Sequence, residues 1–316
     1  MAQDNYIFDL AENVTRTPVT YETRYGIEIA ADLYKPADFE ETKRYPALIV
    51  GAPYGGVKEQ GPGVYANQLA QKGFVVLTFD PSFNGNSGGY PRHLSSPDVF
   101  VEDFMAAVDF LGTRDFVERE KIGAIGICGS GGFALSAAKV DPRIKAVATT
   151  SMYDISRMQK LGMNDSMSDE ERQKSLKQIA EQRYADFEDA TPALTGRGAP
   201  LDWDDDAPQA AQEFGSFYSR PRGYHPNSIT QFTVTSTPSW MNFALLDDLD
   251  WLSGRPILLI AGENAHSLYF SEDVYEAAAE PRELFVIPKA THVDLYDKTD
   301  VIPFEKLVNF FETAFE

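Results

Sequence analysis

Lys121-Ile-Gly-Ala-Ile-Gly-Ile-Cys128-Gly-Ser-Gly-Gly-Phe-Ala-Leu-Ser-Ala-Ala-Lys139 passes from an uninterrupted apolar run to a Gly- and Ala-rich one, and the chain's only cysteine stands at the joint. The first part reads as a strand buried on both faces, the second as a helix, so Cys128 occupies a sharp strand-to-helix turn. Such a turn strains the backbone of its apex residue and crowds the positions two before and two after, which must be small. Gly126 and Ser130 meet that demand.

Cys128-Gly-Ser-Gly-Gly132 also fits a turn of this kind, with Ser130 at the apex. The strand over 122–127 favours Cys128, because the other register puts Cys128 and Gly129 inside the strand. A thiol at a helix N-terminus is also expected to ionise below its usual pKa of about 8.5. A lone cysteine away from such a turn would read as a buried structural residue.

Outward from this joint, short apolar runs alternate with helical patterns. Strands are expected over 25–34, 45–50, 74–80, 144–149, 256–261 and 283–287. A helix ends at Gly73, and Val101, Phe104, Met105, Val108 and Leu111 recur at helical spacing. Strand-helix-strand repetition predicts an α/β fold: a mostly parallel central sheet with helices on both faces. Residues 155–250 break the alternation. Ser168-Asp-Glu-Glu171 is a capping box, and Leu176, Ile179, Ala180, Tyr184 and Phe187 mark one apolar helix face behind it. Asp204-Asp-Asp-Ala-Pro208 begins a further helix, before a loop-rich aromatic stretch. We expect a core of residues 1–154 and 251–316 with a mainly helical cap insertion at 155–250, over the sheet edge where such folds bind ligands.

The chain has 316 residues, 43% of them hydrophobic and 12% aromatic, enough for one large core. A formal charge of −20 leaves no basic surface for nucleic acid. Met1-Ala-Gln-Asp-Asn5 carries no leader pattern, no apolar run spans a bilayer, and one cysteine suits a reducing compartment. The expectation is a cytoplasmic protein; whether it forms a homo-oligomer is left open.

A nucleophile at Cys128 needs a base, and that base needs a group to orient it. Of His93, His225, His266 and His292, only His292 follows the last apolar strand and precedes the terminal helix with its face of Leu307, Phe310, Phe311 and Phe315. His292 is therefore the expected base and His266 the next candidate, while His93 and His225 read as surface or packing residues. In this architecture the acid follows the preceding strand in a Gly-x-x-Asp turn. Here that turn is Gly262-Glu-Asn-Ala265, so Glu263 is the nearest carboxylate, with Asp154 in reach from the strand before and a site without an acid as the third reading. A cysteine–histidine pair tolerates that loss better than serine would. The oxyanion donors are expected to be the N–H of Gly129 and one from the Gly51-Ala-Pro-Tyr-Gly-Gly56 loop, Tyr54 before Gly55, since Pro53 has none. No phosphate loop, metal cluster or redox cysteine pair is present, so no cofactor is expected.

With these elements placed, the chain resembles the α/β-hydrolase superfamily, in its dienelactone-hydrolase-like branch with cysteine at the nucleophile elbow, close to a group of polyketide transferase and thiohydrolase-like proteins. The resemblance rests on Gly55-Gly-Val-Lys-Glu-Gln60, Phe79-Asp-Pro-Ser-Phe-Asn-Gly-Asn-Ser-Gly-Gly89, Gly126-Ile-Cys-Gly-Ser-Gly-Gly132, Arg222-Gly-Tyr-His-Pro226, Ala261-Gly-Glu-Asn-Ala-His-Ser267 and Thr291-His-Val-Asp-Leu-Tyr-Asp297. Ala265 at the usual acid position and Ala52-Pro53 where many relatives have His-Gly depart from it. The resemblance implies an ester, lactone or thioester hydrolase acting on a small acyl substrate through an acyl-cysteine. Acyl transfer on the same site is the alternative, and a non-catalytic small-molecule binder on this scaffold is a third.

Overall fold

The computed structural model describes residues 5–189, 191–204 and 206–316. The N-terminal reading over residues 1–4 and Asp205 of the Asp204-Asp-Asp206 helix start lie outside them. Among these described residues eight strands form one sheet in the order β1-β2-β4-β3-β5-β6-β7-β8. They are β1 (Val14–Glu22), β2 (Glu28–Pro36), β3 (Tyr45–Gly51), β4 (Val75–Phe79), β5 (Val117–Ile127), β6 (Ala146–Thr150), β7 (Ile257–Gly262) and β8 (Arg282–Ile287). β1 and β2 form an antiparallel hairpin, β2 is antiparallel to β4, and β4, β3, β5, β6, β7 and β8 run parallel. This is the α/β-hydrolase fold.

Among the described residues ten α-helices connect and cover the sheet: α1 (Gly61–Ala70), α2 (Pro97–Gly112), α3 (Gly129–Val140), α4 (Ile155–Leu161), α5 (Asp169–Glu188), α6 (Gln209–Tyr218), α7 (Thr237–Met241), α8 (Leu268–Ala277), α9 (Asp294–Asp297) and α10 (Phe304–Ala314). Every residue of β4, β6 and β7 is buried, as expected of strands covered on both faces. α10 seals the end of the core with Phe304, Leu307, Val308 and Phe311. Among the described residues, no helix is long and apolar enough to cross a membrane.

Two expectations need correction. The early strand expected over 25–34 is β2, which starts later, at Glu28: residues 25–27 belong to a turn in which Thr23 N–H donates to Ile27 O (3.0 Å) with Gly26 at φ 70°, and β1 before that turn was not expected. The apolar face read along α5 is largely unburied; Ile179 packs inward, but Tyr184 is 72% and Phe187 92% exposed. The capping box that opens α5 is present in full.

Parallel strands in register bring their carboxyl ends to one edge. Gly51 pairs with Gly126, and Ile127 with Thr150, so the residues after β3, β5 and β6 emerge side by side. The loops after β7 and β8 emerge there too, since Gly262 pairs with Ile287. Between β6 and β7 the described residues add no strand to this sheet; α4, α5, α6 and α7 lie there.

Candidate active site

Cys128 has φ 55° and ψ −122°, a conformation that costs about 1–3 kcal/mol for a residue with a side chain. Its backbone is tied on both sides: its N–H donates to Thr150 O (2.9 Å), and its carbonyl accepts from Gly131 N–H and Tyr153 N–H, both at 2.9 Å. A methyl group on Gly126 would collide with the Ser130 carbonyl, which is why the turn needs glycine there. Ser130 is buried and donates its hydroxyl to Ala52 O (2.5 Å), whereas Cys128 opens onto a cavity.

The N–H groups of Tyr54 and Gly129 and the hydroxyl oxygen of Tyr296 are the hydrogen-bond partners of the Cys128 sulfur. The two backbone donors named from the sequence thus converge on one point. Tyr54 is fixed there from several directions. Its ring stacks on Phe232 at 3.9 Å, and its hydroxyl bonds Ser95 Oγ (2.7 Å), which also accepts from Trp240 Nε1 (2.8 Å). Further along the same loop, Lys58 N–H donates to Asp80 Oδ1 (2.8 Å) and Lys58 Nζ to Asp80 Oδ2 (3.1 Å).

His292 is fully buried in the loop after β8. Its Nε2 lies 2.8 Å from Tyr296 Oη and its Nδ1 2.6 Å from Ser267 Oγ. Tyr296 therefore stands between the imidazole and the thiol. The row Ser267–His292–Tyr296–Cys128 joins groups whose hydroxyls both donate and accept, so protons can shift along it while each bond stays made. Sequence reasoning missed both hydroxyls. The signal for Tyr296 was its spacing: four residues after His292, across a short helical turn, it lies on the same side.

Neither carboxylate considered for the acid reaches His292. Glu263 is exposed, and its Oε2 accepts Lys289 N–H (2.9 Å); Asp154 caps α4 by accepting Arg157 N–H (3.0 Å). The loop after β7 presents Ser267 to the imidazole, so a hydroxyl occupies the place assigned to Glu263. The carboxylate that does lie close is Glu213 of α6. Its Oε2 accepts the backbone N–H of His292 (3.0 Å) and sits 3.6 Å from His266 Nδ1. His266 Nε2 in turn bonds Tyr153 Oη (2.6 Å), and the two imidazole rings lie 4.7 Å apart.

The electrostatics oppose the ionised cysteine expected from the helix N-terminus. Burial pushes the Cys128 thiol above its ordinary value of 9.0, and the three hydrogen bonds to sulfur counter that only in part. Burial, reinforced by neighbouring His266, holds His292 well below 6.5. The resting pair is a neutral thiol and a neutral imidazole.

A cavity of about 520 Å³ opens over the sulfur. Tyr54, Tyr153 and Tyr296 line it, together with Met158, Phe214, Tyr218, Phe232 and Trp240 from the β6–β7 segment. His225 is buried elsewhere, with Nε2 4.0 Å from Glu59 Oε2. Among the described residues no cluster of three or more His, Cys, Asp or Glu side chains has the arrangement of a metal site.

A sequence profile of the dienelactone hydrolase family matches residues 29–169. The chain is 49% identical to the uncharacterized protein PA2218 of Pseudomonas aeruginosa over 96% of its own length and 82% of that protein. A crystal structure of PA2218 superposes with a TM-score of 0.95, covering 99% of this chain and 98% of that one at 47% identity. More distant similarity extends to the acyltransferase drtE of Aspergillus calidoustus (25% identity; 88% of this chain, 87% of the relative). A thiohydrolase of Eupenicillium brefeldianum stands at 24% identity, covering 92% of this chain and 91% of the relative.

Proposed function

Because the chain belongs to the dienelactone hydrolase family and is a hydrolase, we propose that it cleaves an ester, lactone or thioester with an apolar acyl group through a covalent acyl-Cys128 intermediate. The observation that carries this reading is the convergence of the Tyr54 and Gly129 N–H groups and the Tyr296–His292 relay on one sulfur. The helices between β6 and β7 act as a cap, and their aromatic and methionine side chains receive the acyl group.

In acylation, the Cys128 proton passes to Tyr296 Oη as the tyrosine's own proton passes to His292 Nε2. Sulfur bonds the carbonyl carbon, and the oxygen takes the electron pair and the hydrogen bonds of Tyr54 and Gly129, each worth about 2.7–4 kcal/mol in the barrier. Collapse of this adduct breaks the bond to the leaving alcohol or thiol, which receives the proton back from His292. Ser267 accepts from Nδ1–H and holds the ring while Nε2 is loaded. Water then cleaves the acyl-cysteine; a thioester also reacts with alcohols and amines, and the likeness to an acyltransferase supports acyl transfer as the second reading. A lone cysteine in 316 residues fits work in the cytoplasm.

The test is release of p-nitrophenol from acetyl to octanoyl esters by wild type and Cys128→Ala, with intact mass spectrometry for the acyl adduct. We expect an adduct on Cys128 and loss of turnover in the variant. Unchanged hydrolysis by Cys128→Ala overturns the nucleophile; ester retained without turnover by wild type makes the protein a binder.

A further inference from the structure

A second relay faces the same cavity. Tyr153 lines it beside Cys128, with its backbone N–H on the Cys128 carbonyl (2.9 Å) and its hydroxyl 2.6 Å from His266 Nε2. Behind the ring, His266 Nδ1 has no hydrogen-bond partner and lies 3.6 Å from Glu213 Oε2, too far for a hydrogen bond but within reach of a charge pair once the ring is protonated. Glu213 is itself held, by Gln209 Nε2 on Oε1 (2.6 Å) and His292 N–H on Oε2 (3.0 Å). The order carboxylate, imidazole, hydroxyl is that of a catalytic triad, built outside the Cys128–Tyr296–His292 line.

We propose that Tyr153, backed by His266 and Glu213, activates the nucleophile that cleaves the acyl-cysteine, so that the two half-reactions use different bases. The inference rests on the acyl-Cys128 reading above. A water in the cavity gives its proton to Tyr153 Oη as the tyrosine proton moves to His266 Nε2. The water oxygen bonds the acyl carbon, and the carbon–sulfur bond breaks. The departing sulfur takes the proton returned from His266 through Tyr153. The products are a carboxylic acid and the Cys128 thiol, so the enzyme ends where it began. Tyr153 touches the reacting atoms; His266 and Glu213 position and charge it. Burial keeps the Tyr153 phenol protonated, which suits a group that passes a proton on.

Two half-reactions with separate bases predict separable defects. For Tyr153→Phe and His266→Gln, pre-steady-state kinetics with p-nitrophenyl esters should keep the rate and amplitude of acylation near wild type. Steady-state turnover should fall about 10²-fold or more, and intact mass should show the acyl adduct on Cys128 persisting. Added hydroxylamine, which needs little help from a base, should restore turnover in Tyr153→Phe after correction for the enzyme-free reaction. If acylation and turnover fall together, if turnover is unchanged, or if hydroxylamine does not rescue, the second relay is overturned. Loss of the adduct in Cys128→Ala keeps this outcome separate from failure of the nucleophile assignment.

Discussion

The Tyr296 hydroxyl bridges His292 Nε2, 2.8 Å away, and the Cys128 sulfur, so the proposed base and nucleophile communicate through a phenol rather than by direct contact. Among the described residues there is no Cys128–His292 hydrogen bond. Removing the hydroxyl while keeping the ring should leave the cavity shape intact and break the proton path. Tyr296→Phe is expected to slow acylation by about 10²–10⁴-fold, measured as the burst rate with p-nitrophenyl esters. A burst at the wild-type rate would mean the thiol reaches His292 without it.

Ser267 and Glu263 make opposite predictions. Ser267 Oγ is the partner of His292 Nδ1, and deleting it leaves a buried ring nitrogen unsatisfied at a cost of about 1–3 kcal/mol. Ser267→Ala should therefore lower kcat by about 5- to 160-fold by that conversion with little change in KM. Glu263→Gln alters a solvent-facing side chain bonded to Lys289 N–H and should behave as wild type. The reverse ranking in steady-state kinetics would return the acid role to Glu263.

Gly129 is both an N–H donor and a spacer. A Cβ there would sit 2.8 Å from Tyr54 Cβ, so Gly129→Ala must push the Tyr54 loop away and misplace the second donor. We expect kcat to drop by about 10²–10³, with circular dichroism and melting temperature showing the fold retained. Wild-type kcat in this variant would show that the oxyanion is held elsewhere.

The neutral resting pair fixes the shape of the pH profile. His292 gains a proton only below its ordinary 6.5, because burial disfavours imidazolium, and Cys128 loses its own only above 9.0, because burial disfavours thiolate. Proton transfer inside the pair leaves its total protonation unchanged, so kcat/KM should be flat between those limits. Alkylation of Cys128 by iodoacetamide, which needs the thiolate, should rise only above pH 9.0. A rise in alkylation between pH 6 and 8 would show an ionised thiolate–imidazolium pair at rest.

The parts legible in the sequence are those fixed by strong periodicity and steric necessity. The strand ending at Ile127, the crowding at Gly126 and Ser130, and the loops carrying Tyr54 and His292 follow from patterns that the parallel sheet then aligns. β1 was hidden because it is a half-exposed edge strand carrying Pro18, which an edge tolerates and a central strand does not. α5 carries apolar residues at helical spacing, yet few neighbours cover them, and periodicity alone does not say what lies opposite. The partners of the histidines were hidden for a different reason. A carboxylate was sought at a fixed offset after a glycine, but the turn after β7 instead buries Ala265 and aims Ser267 inward, while Glu213 arrives from 79 residues before His292. Contacts made across such distances leave no local trace.

Peroxide and other adventitious electrophiles attack the thiolate form of cysteine, and only where they can reach it. Cys128 at rest is protonated and 5% exposed. The same burial that makes it a reluctant acid therefore shields it from oxidation. On the proposed mechanism a bound carbonyl would draw the Tyr54 and Gly129 N–H groups away from sulfur, so selectivity for substrate over oxidant would be built into the resting state.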